Sequence, residues 1–319
     1  MKNIYSNIFK FNKNNLSKCI KYLKKNELVA LPTETVYGLA GNAYSKKSIL
    51  KIYKFKKRPK NNPLIIHYLN YKSAISDVNI NKDFIKLYKE FCPGPVTFIL
   101  PKKRNTSISS CATSNLKSIA IRFPNHVIIR KILKKLDFPL AMPSANISNK
   151  ISPVDAKDVN DEFKKKIKVI IDGGRCKIGV ESTVIDLTKG IKILRPGAIS
   201  QKQIQRFVKK KVKEVKKNKN IKSPGTLKKH YSPGIKMLLN QNKSKDGHAF
   251  ITIGRKFKNS KNIFNLSQKG DLKLAAKNLY KTFRKIKKLK YKKIYVAKIP
   301  NNGIGIAIND RLKKAANKK

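Results

Sequence analysis

The sequence predicts an α/β protein in two parts, a larger domain built on a largely buried mixed sheet and a smaller α/β domain after it. Three observations predict it. Short apolar runs alternate along the chain with stretches of helical periodicity, and most of these runs are too short and too apolar to be surface strands. The chain has 319 residues, enough for about two domains. A lysine-laden stretch punctuated by proline and glycine interrupts the pattern after residue 205.

The elements follow in order. Leu16, Cys19, Ile20 and Leu23 fall at i, i+3, i+4 and i+7, the buried face of an amphipathic helix. A strand is expected at 28–31, and Ser45 signals a helix with Ile49, Ile52 and Tyr53 facing inward. Pro59 ends that helix. Strands are expected at 64–67, 96–100, 119–122, 139–142, 169–171, 184–187 and 192–194, with a helix carrying Ile128, Ile132, Leu133 and Leu136 among them. The first domain is therefore 1–205. Over 206–234, repulsion among lysines and the Ser-Pro-Gly turns at 223–225 and 232–234 favour an extended linker. In 235–319, strand-like "IKMLLN", "HAFITIG" and "KKIYVAKIP" frame a helix with the apolar face Leu272, Ala275, Ala276, Leu279, Phe283 and Ile286. A last helix follows "GIGIAIN", which makes a small βαβ-type domain.

Lysine and arginine total 75 against 17 acidic residues, a formal charge of +58 spread along the whole length. Such a field attracts polyanions such as tRNA. Lys, Asn and Ile are enriched together, as a general compositional drift also produces, so charge alone names no partner. Cys19, Cys92, Cys111 and Cys176 form no C-x-x-C pair, which points away from a zinc site or a disulfide framework and toward reduced thiols. The opening "MKNIYSNIFKFNKNN" has no apolar run of signal-peptide length, and no later run approaches the ~20 residues of a membrane span. The expected location is the cytoplasm.

Polar residues recur at the ends of the short apolar strands. Thr33 and Thr35 follow 28–31; Asn62 and His67 bracket another strand, and Ser118 and Arg122 a third. "AMPSANIS" delivers Ser144 and Asn146, "VESTVID" delivers Ser182 and Thr183, and "ILRPG" delivers Arg195. Ligands of open α/β sheets collect where strand ends open a crevice, so these groups point to one site lined by hydroxyls and arginines. At the end of the Ser45 helix, Lys56-Lys57-Arg58 either complements the helix dipole or offers a guanidinium fork and an ammonium to a triphosphate. No G-x-x-x-x-G-K-[ST] loop occurs, so a nucleotide here is held by side chains and turn amides.

In this order, "LPTETVYGLAGNA", "KKRPKNNPLIIH", "CPGPVTFIL", "IAIRFP", "MPSANIS", "GVESTVIDL" and "ILRPG" resemble the YrdC-like threonylcarbamoyl-AMP synthase family. "SPGTLKKHYSP" and "GIGIAINDRLKKAA" resemble its longer, two-domain form. The resemblance implies a YrdC-like domain with a twisted mixed sheet and a small Rossmann-like βαβ C-terminal domain. It implies condensation of L-threonine, bicarbonate and ATP, with Mg²⁺ on the triphosphate, into threonylcarbamoyl-adenylate and pyrophosphate. A tRNA threonylcarbamoyl transferase complex then uses the adenylate to make N6-threonylcarbamoyladenosine. By the same resemblance Thr35, His67, Arg122, Met142 and Ser182 serve threonine, Met142 through its backbone. Arg58, Asn62, Ser118, Ser144, Ser152 and Arg195 serve ATP, and Tyr231 folds over the nucleotide. Thr33, Lys56 and Asn146 complete the candidates, while Glu34 and Tyr37 shape the wall.

No side-chain nucleophile is implied and no protein metal cage; catalysis rests on positioning and charge neutralisation. His67 is expected to bind more than to act as base. Lys57 stands where the family commonly has glycine. Two other readings share some of these features. An RNA-binding module without ATP chemistry would use the charge alone, and a carbamoyl transferase of the same fold normally carries cysteine pairs that are missing here.

Overall fold

The computed structural model describes residues 5–210, 212–214, 230–243, 247–257 and 260–317. From the N-terminus, β1 (Ile8–Lys10) leads to α1 (Lys13–Lys24), whose first turn is capped by the Asn12 side chain. β2 (Val29–Leu31) and β3 (Gly38–Asn42) pair antiparallel, and α2 (Lys46–Lys56) starts at Ser45 as expected, with the Ser45 hydroxyl accepting from Ser48 N. β4 (Ile65–His67), α3 (Lys82–Phe91), β5 (Val96–Pro101), β6 (Ser118–Arg122), α4 (Val127–Leu133) and β7 (Leu140–Ala141) follow. α5 (Ala156–Phe163), β8 (Ile170–Asp172), β9 (Thr183–Asp186), β10 (Lys192–Arg195), α6 (Gln201–Val208) and β11 (Lys213–Glu214) complete the first sheet. Among the described residues its order is β1-β8-β2-β3-β7-β4-β6-β5-β9-β10-β11, with parallel and antiparallel pairs mixed.

Both faces of this sheet are buried. On β2, Val29 and Leu31 join the cluster under α1 and α4, which includes Cys19, Leu23, Ile129 and Ile132, while Ala30 faces the main core on the other side. A strand covered on both faces reads as a continuous apolar run, which is why 28–31 was legible. β3 was not among the expected strands because "GLAGN" is rich in glycine, a weak strand former. Its glycine has a packing reason: a Cβ at Gly38 would lie 2.4 Å from Met142 Cγ, so the bare backbone makes room for that side chain.

The segment expected to be an extended linker begins with regular structure. α6 runs past residue 205, held by a reciprocal capping box between Ser200 and Gln203 and by buried Ile204 and Val208. β11 then pairs parallel with β10, so first-sheet structure continues to residue 214. The apolar pair at i and i+4, with the cap before it, outweighs lysine repulsion on the solvent side. Most of "SPGTLKKHYSP" lies in 215–229, outside the described residues; His230 and Tyr231 are described and buried.

In the second unit β12 (Lys236–Leu238), β13 (Ala249–Thr252), β14 (Ile263–Asn265) and β15 (Lys293–Val296) form a parallel sheet in the order β12-β15-β13-β14. α7 (Leu272–Lys288) buries Ala275, Ala276, Leu279, Phe283 and Ile286, the face read from the sequence, and α8 (Gly305–Ala316) packs beside it. β14, three residues between loops, was not expected. The main apolar core runs on into this unit through Val180, Tyr231, Ala276 and Tyr280. Among the described residues no helix is long and apolar enough to cross a membrane.

Candidate active site

The turn after β2 is tied by its own hydroxyls. Thr33 Oγ1 accepts from Thr35 N at 3.1 Å and Val36 N at 3.2 Å and donates to Val36 O at 2.6 Å. Thr35 is thereby turned toward Arg122, whose NH2 donates to Thr35 Oγ1 at 2.9 Å and to Glu34 Oε1 at 2.8 Å. The parallel register of β4 and β6 sets His67 beside Arg122, and the antiparallel register of β5 sets Thr97 on the other side. His67 is buried, and burial followed by the Arg122 charge holds its imidazole well below the usual pKa. It is neutral at physiological pH and a weak base.

The opposite wall carries two more guanidinium groups. Arg195, at the end of β10, donates through Nε to Ser182 O and through NH2 to Ser182 Oγ, both at 3.0 Å, and Ser182 Oγ lies 2.8 Å from Thr97 Oγ1. Arg58 follows α2 and is steered by Nε to Asn62 O at 2.9 Å and NH2 to Pro63 O at 2.8 Å. Burial pushes Arg58 down to about 10, which leaves it cationic at neutral pH. Met142 and Ser144, just past β7, close the floor.

Thr33, Val36, Tyr37, Gly38, Arg58, Ile65, His67, Arg122, Met142, Pro143, Ser144, Glu181, Ser182, Arg195, His230 and Tyr231 line one cleft. Three guanidinium groups against one lining carboxylate make it a site for anions. Tyr231 enters at φ +64° with its ring buried and its hydroxyl lacking a partner.

Of the expected residues, Thr33, Arg58, His67, Arg122, Met142, Ser144, Ser182, Arg195 and Tyr231 meet at this cleft. Thr35 and Asn62 stand behind it as partners of Arg122 and Arg58. Ser152 is buried and gives its hydroxyl to Glu181 at 2.6 Å. Ser118 opens β6 at the end away from Arg122; the pairing of Ile65 with Ala120 brings it level with Pro63, the partner of Arg58. Lys56 is buried outside the lining and donates to Ser144 O and Asn146 O, so it braces that loop. Burial first, and Arg58 second, hold its amine well below the usual pKa. Asn146 ties the same loop to Ile147 O and Lys150 O. Lys57 caps α2 in the left-handed conformation, φ 48° and ψ 43°, the geometry for which glycine is the easiest residue.

Glu181 was missed, although "GVESTVIDL" contains it. Burial would raise its carboxyl pKa, but Arg311 and then Arg195 outweigh burial and bring it down to about 2. His230, also in the lining, falls to about 3 through burial, with Glu181 opposing and Arg58 and Lys56 adding to the fall. No sequence signal could pair Glu181 with Arg311, which lies 130 residues away. Among the described residues no group of three His, Cys, Asp or Glu is placed to hold a metal.

Residues 21–197 match the protein family described as "Telomere recombination", and residues 199–317 match the family described as "Threonylcarbamoyl-AMP synthase, C-terminal domain". The chain is 33% identical to the threonylcarbamoyl-AMP synthase of Pyrococcus abyssi, over 92% of each chain. It is 34% identical to that of Bacillus subtilis, over 92% of this chain and 90% of the relative. A crystal structure of P. abyssi Sua5 complexed with L-threonine superposes with a TM-score of 0.88 at 31% identity, covering 97% of this chain and 96% of that one.

Proposed function

The chain belongs to the threonylcarbamoyl-AMP synthase family in its form with a C-terminal domain, and from that premise we propose that it condenses L-threonine, bicarbonate and ATP into threonylcarbamoyl-AMP and pyrophosphate. The observation that carries the reading is the convergence of Arg58, His67, Arg122, Ser144, Ser182 and Arg195, from six separate segments, on one anion-binding cleft.

Threonine's carboxylate sits against Arg122, whose NH2 is taken by Glu34 and Thr35 while its buried Nε still lacks a partner. His67 and Ser182 face the amino acid, with Met142 beneath it. The triphosphate runs toward Arg58 and Arg195, with Ser144 at the floor and Ser118 at the Arg58 end. Asn62 and Ser152 serve ATP through Arg58 and Glu181, the groups they hold. Lys56, Asn146 and Thr33 keep the loops in shape.

Threonine's amine and bicarbonate give a carbamate and water. A carbamate oxygen then attacks the α-phosphorus, the bond to the β-phosphate oxygen breaks, and pyrophosphate leaves. Positioning and the three guanidinium charges carry this displacement, and no side-chain nucleophile is needed. Mg²⁺ would come with ATP and take its ligands from phosphates and water, because the one lining carboxylate among the described residues, Glu181, already accepts from Ser152, Tyr280 and Arg311. Tyr231 acts as a strap that keeps water from the mixed anhydride, and its unpartnered hydroxyl is free to meet a substrate oxygen.

The product passes, in the cytoplasm, to a tRNA threonylcarbamoyl transferase complex, and exposed lysines add a salt-sensitive association with tRNA. The test is pyrophosphate release with each substrate omitted in turn. Release that needs ATP alone, or tRNA in place of threonine and bicarbonate, refutes the reading.

A further inference from the structure

The second unit reaches the cleft through one buried hub. Arg311 of α8 is wholly buried. It donates through Nε to Glu181 Oε2 at 3.1 Å, through NH1 to Pro196 O at 2.6 Å and Asp310 Oδ2 at 2.9 Å, and through NH2 to Glu181 O at 3.4 Å. Its guanidinium carbon also lies 5.3 Å from the centre of the Tyr231 ring, within cation–π range.

Tyr280 of α7 approaches the same pair from another helix. Its hydroxyl donates to Glu181 Oε2 at 2.9 Å, and its ring stacks on Tyr231 at 5.8 Å and 27°. The loop bearing Glu181 is pressed against α7 so closely that a Cβ on Gly179 would lie 2.6 Å from Lys277 Cα. Residue 230 is fastened separately, His230 N donating to Lys314 O of α8 at 3.2 Å.

Tyr231 needs such support. At φ +64° it occupies a conformation that costs a non-glycine residue about 1 kcal/mol or more and persists only where its surroundings over-determine it. Arg311 and Tyr280 are absent from the cleft lining, whereas Glu181 and Tyr231 are in it. Arg311 therefore acts on the cleft through the groups it holds, Glu181 and Tyr231 in the lining and Pro196 beside Arg195.

We propose that Arg311 and Glu181 are a positioning pair through which the C-terminal unit seats Tyr231 across the cleft. The proposal rests on the reading of the cleft as the site of threonylcarbamoyl-AMP formation, with Tyr231 as its strap. On this account the C-terminal unit is part of the synthetic apparatus, and its contribution is delivered at one ring.

The experiment uses the full chain with Arg311→Met, Arg311→Lys, Tyr231→Ala and the double variant Arg311→Met with Tyr231→Ala. Three readouts are taken: threonine Kd without nucleotide, KM for ATP, and intact adenylate per pyrophosphate released. Arg311→Met raises the KM for ATP about tenfold and lowers adenylate per pyrophosphate, while threonine Kd stays within about twofold; one charge-assisted hydrogen bond is of this size. The double variant is no worse than Tyr231→Ala alone, because both changes act through one ring. Arg311→Lys recovers part of the loss. A lowered melting temperature with unchanged KM and yield, or additive losses in the double variant, overturns the proposal.

A spectroscopic test keeps it falsifiable where Arg311→Met fails to fold, or where the chain proves to make no adenylate. The protein has no tryptophan, so Tyr231→Trp creates a single tryptophan reporter, excited to the red of tyrosine absorption. Adding Arg311→Lys to it raises acrylamide quenching severalfold if the pair seats residue 231, and unchanged quenching overturns the pair. Loss of the threonine-dependent reaction in the unmodified chain would instead refute the proposed function and leave this measurement readable.

Discussion

Arg122→Lys tests the assignment of the threonine end most sharply. In the structure Arg122 NH2 is committed to Glu34 Oε1 at 2.8 Å and Thr35 Oγ1 at 2.9 Å, and Nε is buried without a partner. A lysine at 122 still neutralises Glu34, so the fold survives; Arg122→Met would strand that buried carboxylate at a cost of about 3–5 kcal/mol. The ammonium has one nitrogen for Glu34, Thr35 and the ligand together, and loses the bond that the unpartnered Nε offers a bound carboxylate. A hydrogen bond to a charged group contributes about 1.5–3 kcal/mol, so threonine Kd rises about 10- to 150-fold. The KM for ATP, which the proposed function assigns to Arg58 and Arg195 on the other wall, changes about threefold or less. Calorimetric threonine binding without nucleotide, beside steady-state pyrophosphate release at saturating threonine, separates the two. Equal losses for both substrates, or an unchanged threonine Kd, would show that Arg122 does not hold the amino acid.

Three further outcomes follow from local geometry. Lys57→Gly, at φ 48°, relieves the left-handed strain at the end of α2 and raises stability by about 1 kcal/mol, read as a shift of the denaturant midpoint with unchanged slope. Gly38→Ala places a methyl 2.4 Å from Met142 Cγ, so Met142 must shift, and costs about 1–3 kcal/mol of stability, read as a lower melting temperature. Glu181 has a folded-state pKa of about 2 against an ordinary 4.5; a depressed acid stabilises the fold above its unfolded pKa and loses that contribution as pH falls toward the folded one. Stability should therefore drop by roughly 3 kcal/mol across that interval. In Glu181→Gln the acid-limb drop is correspondingly shallower, and an unchanged acid limb refutes the Arg311 pairing as its source.

What was legible from the sequence came from local signals. Val29–Leu31, Ile65–His67 and Val96–Pro101 announced themselves because strands buried on both faces must be apolar without interruption, and Ser45 and Pro59 bounded α2 through backbone chemistry that acts within a few residues. The polar residues at strand ends could be collected as one site for a similar reason, since strand ends in such sheets open onto a shared crevice. β3 was hidden because its glycines are explained by packing, Gly38 against Met142 about a hundred residues along and Gly41 against Ser48 of α2. α6 was hidden among the exposed lysines Lys202, Lys209 and Lys210, while Ile204 and Val208 face the core.

Roles within the site depended on contacts that only the fold creates. Lys56, next but one to Arg58 in sequence, turns away from the cleft to brace Ser144 and Asn146, while Ser152 is spent on Glu181. The Glu181–Arg311–Tyr280–Tyr231 hub joins residues up to 130 positions apart. A buried charge is tolerable only beside its partner, and the identity of that partner is a property of three-dimensional proximity that one chain read in order does not contain.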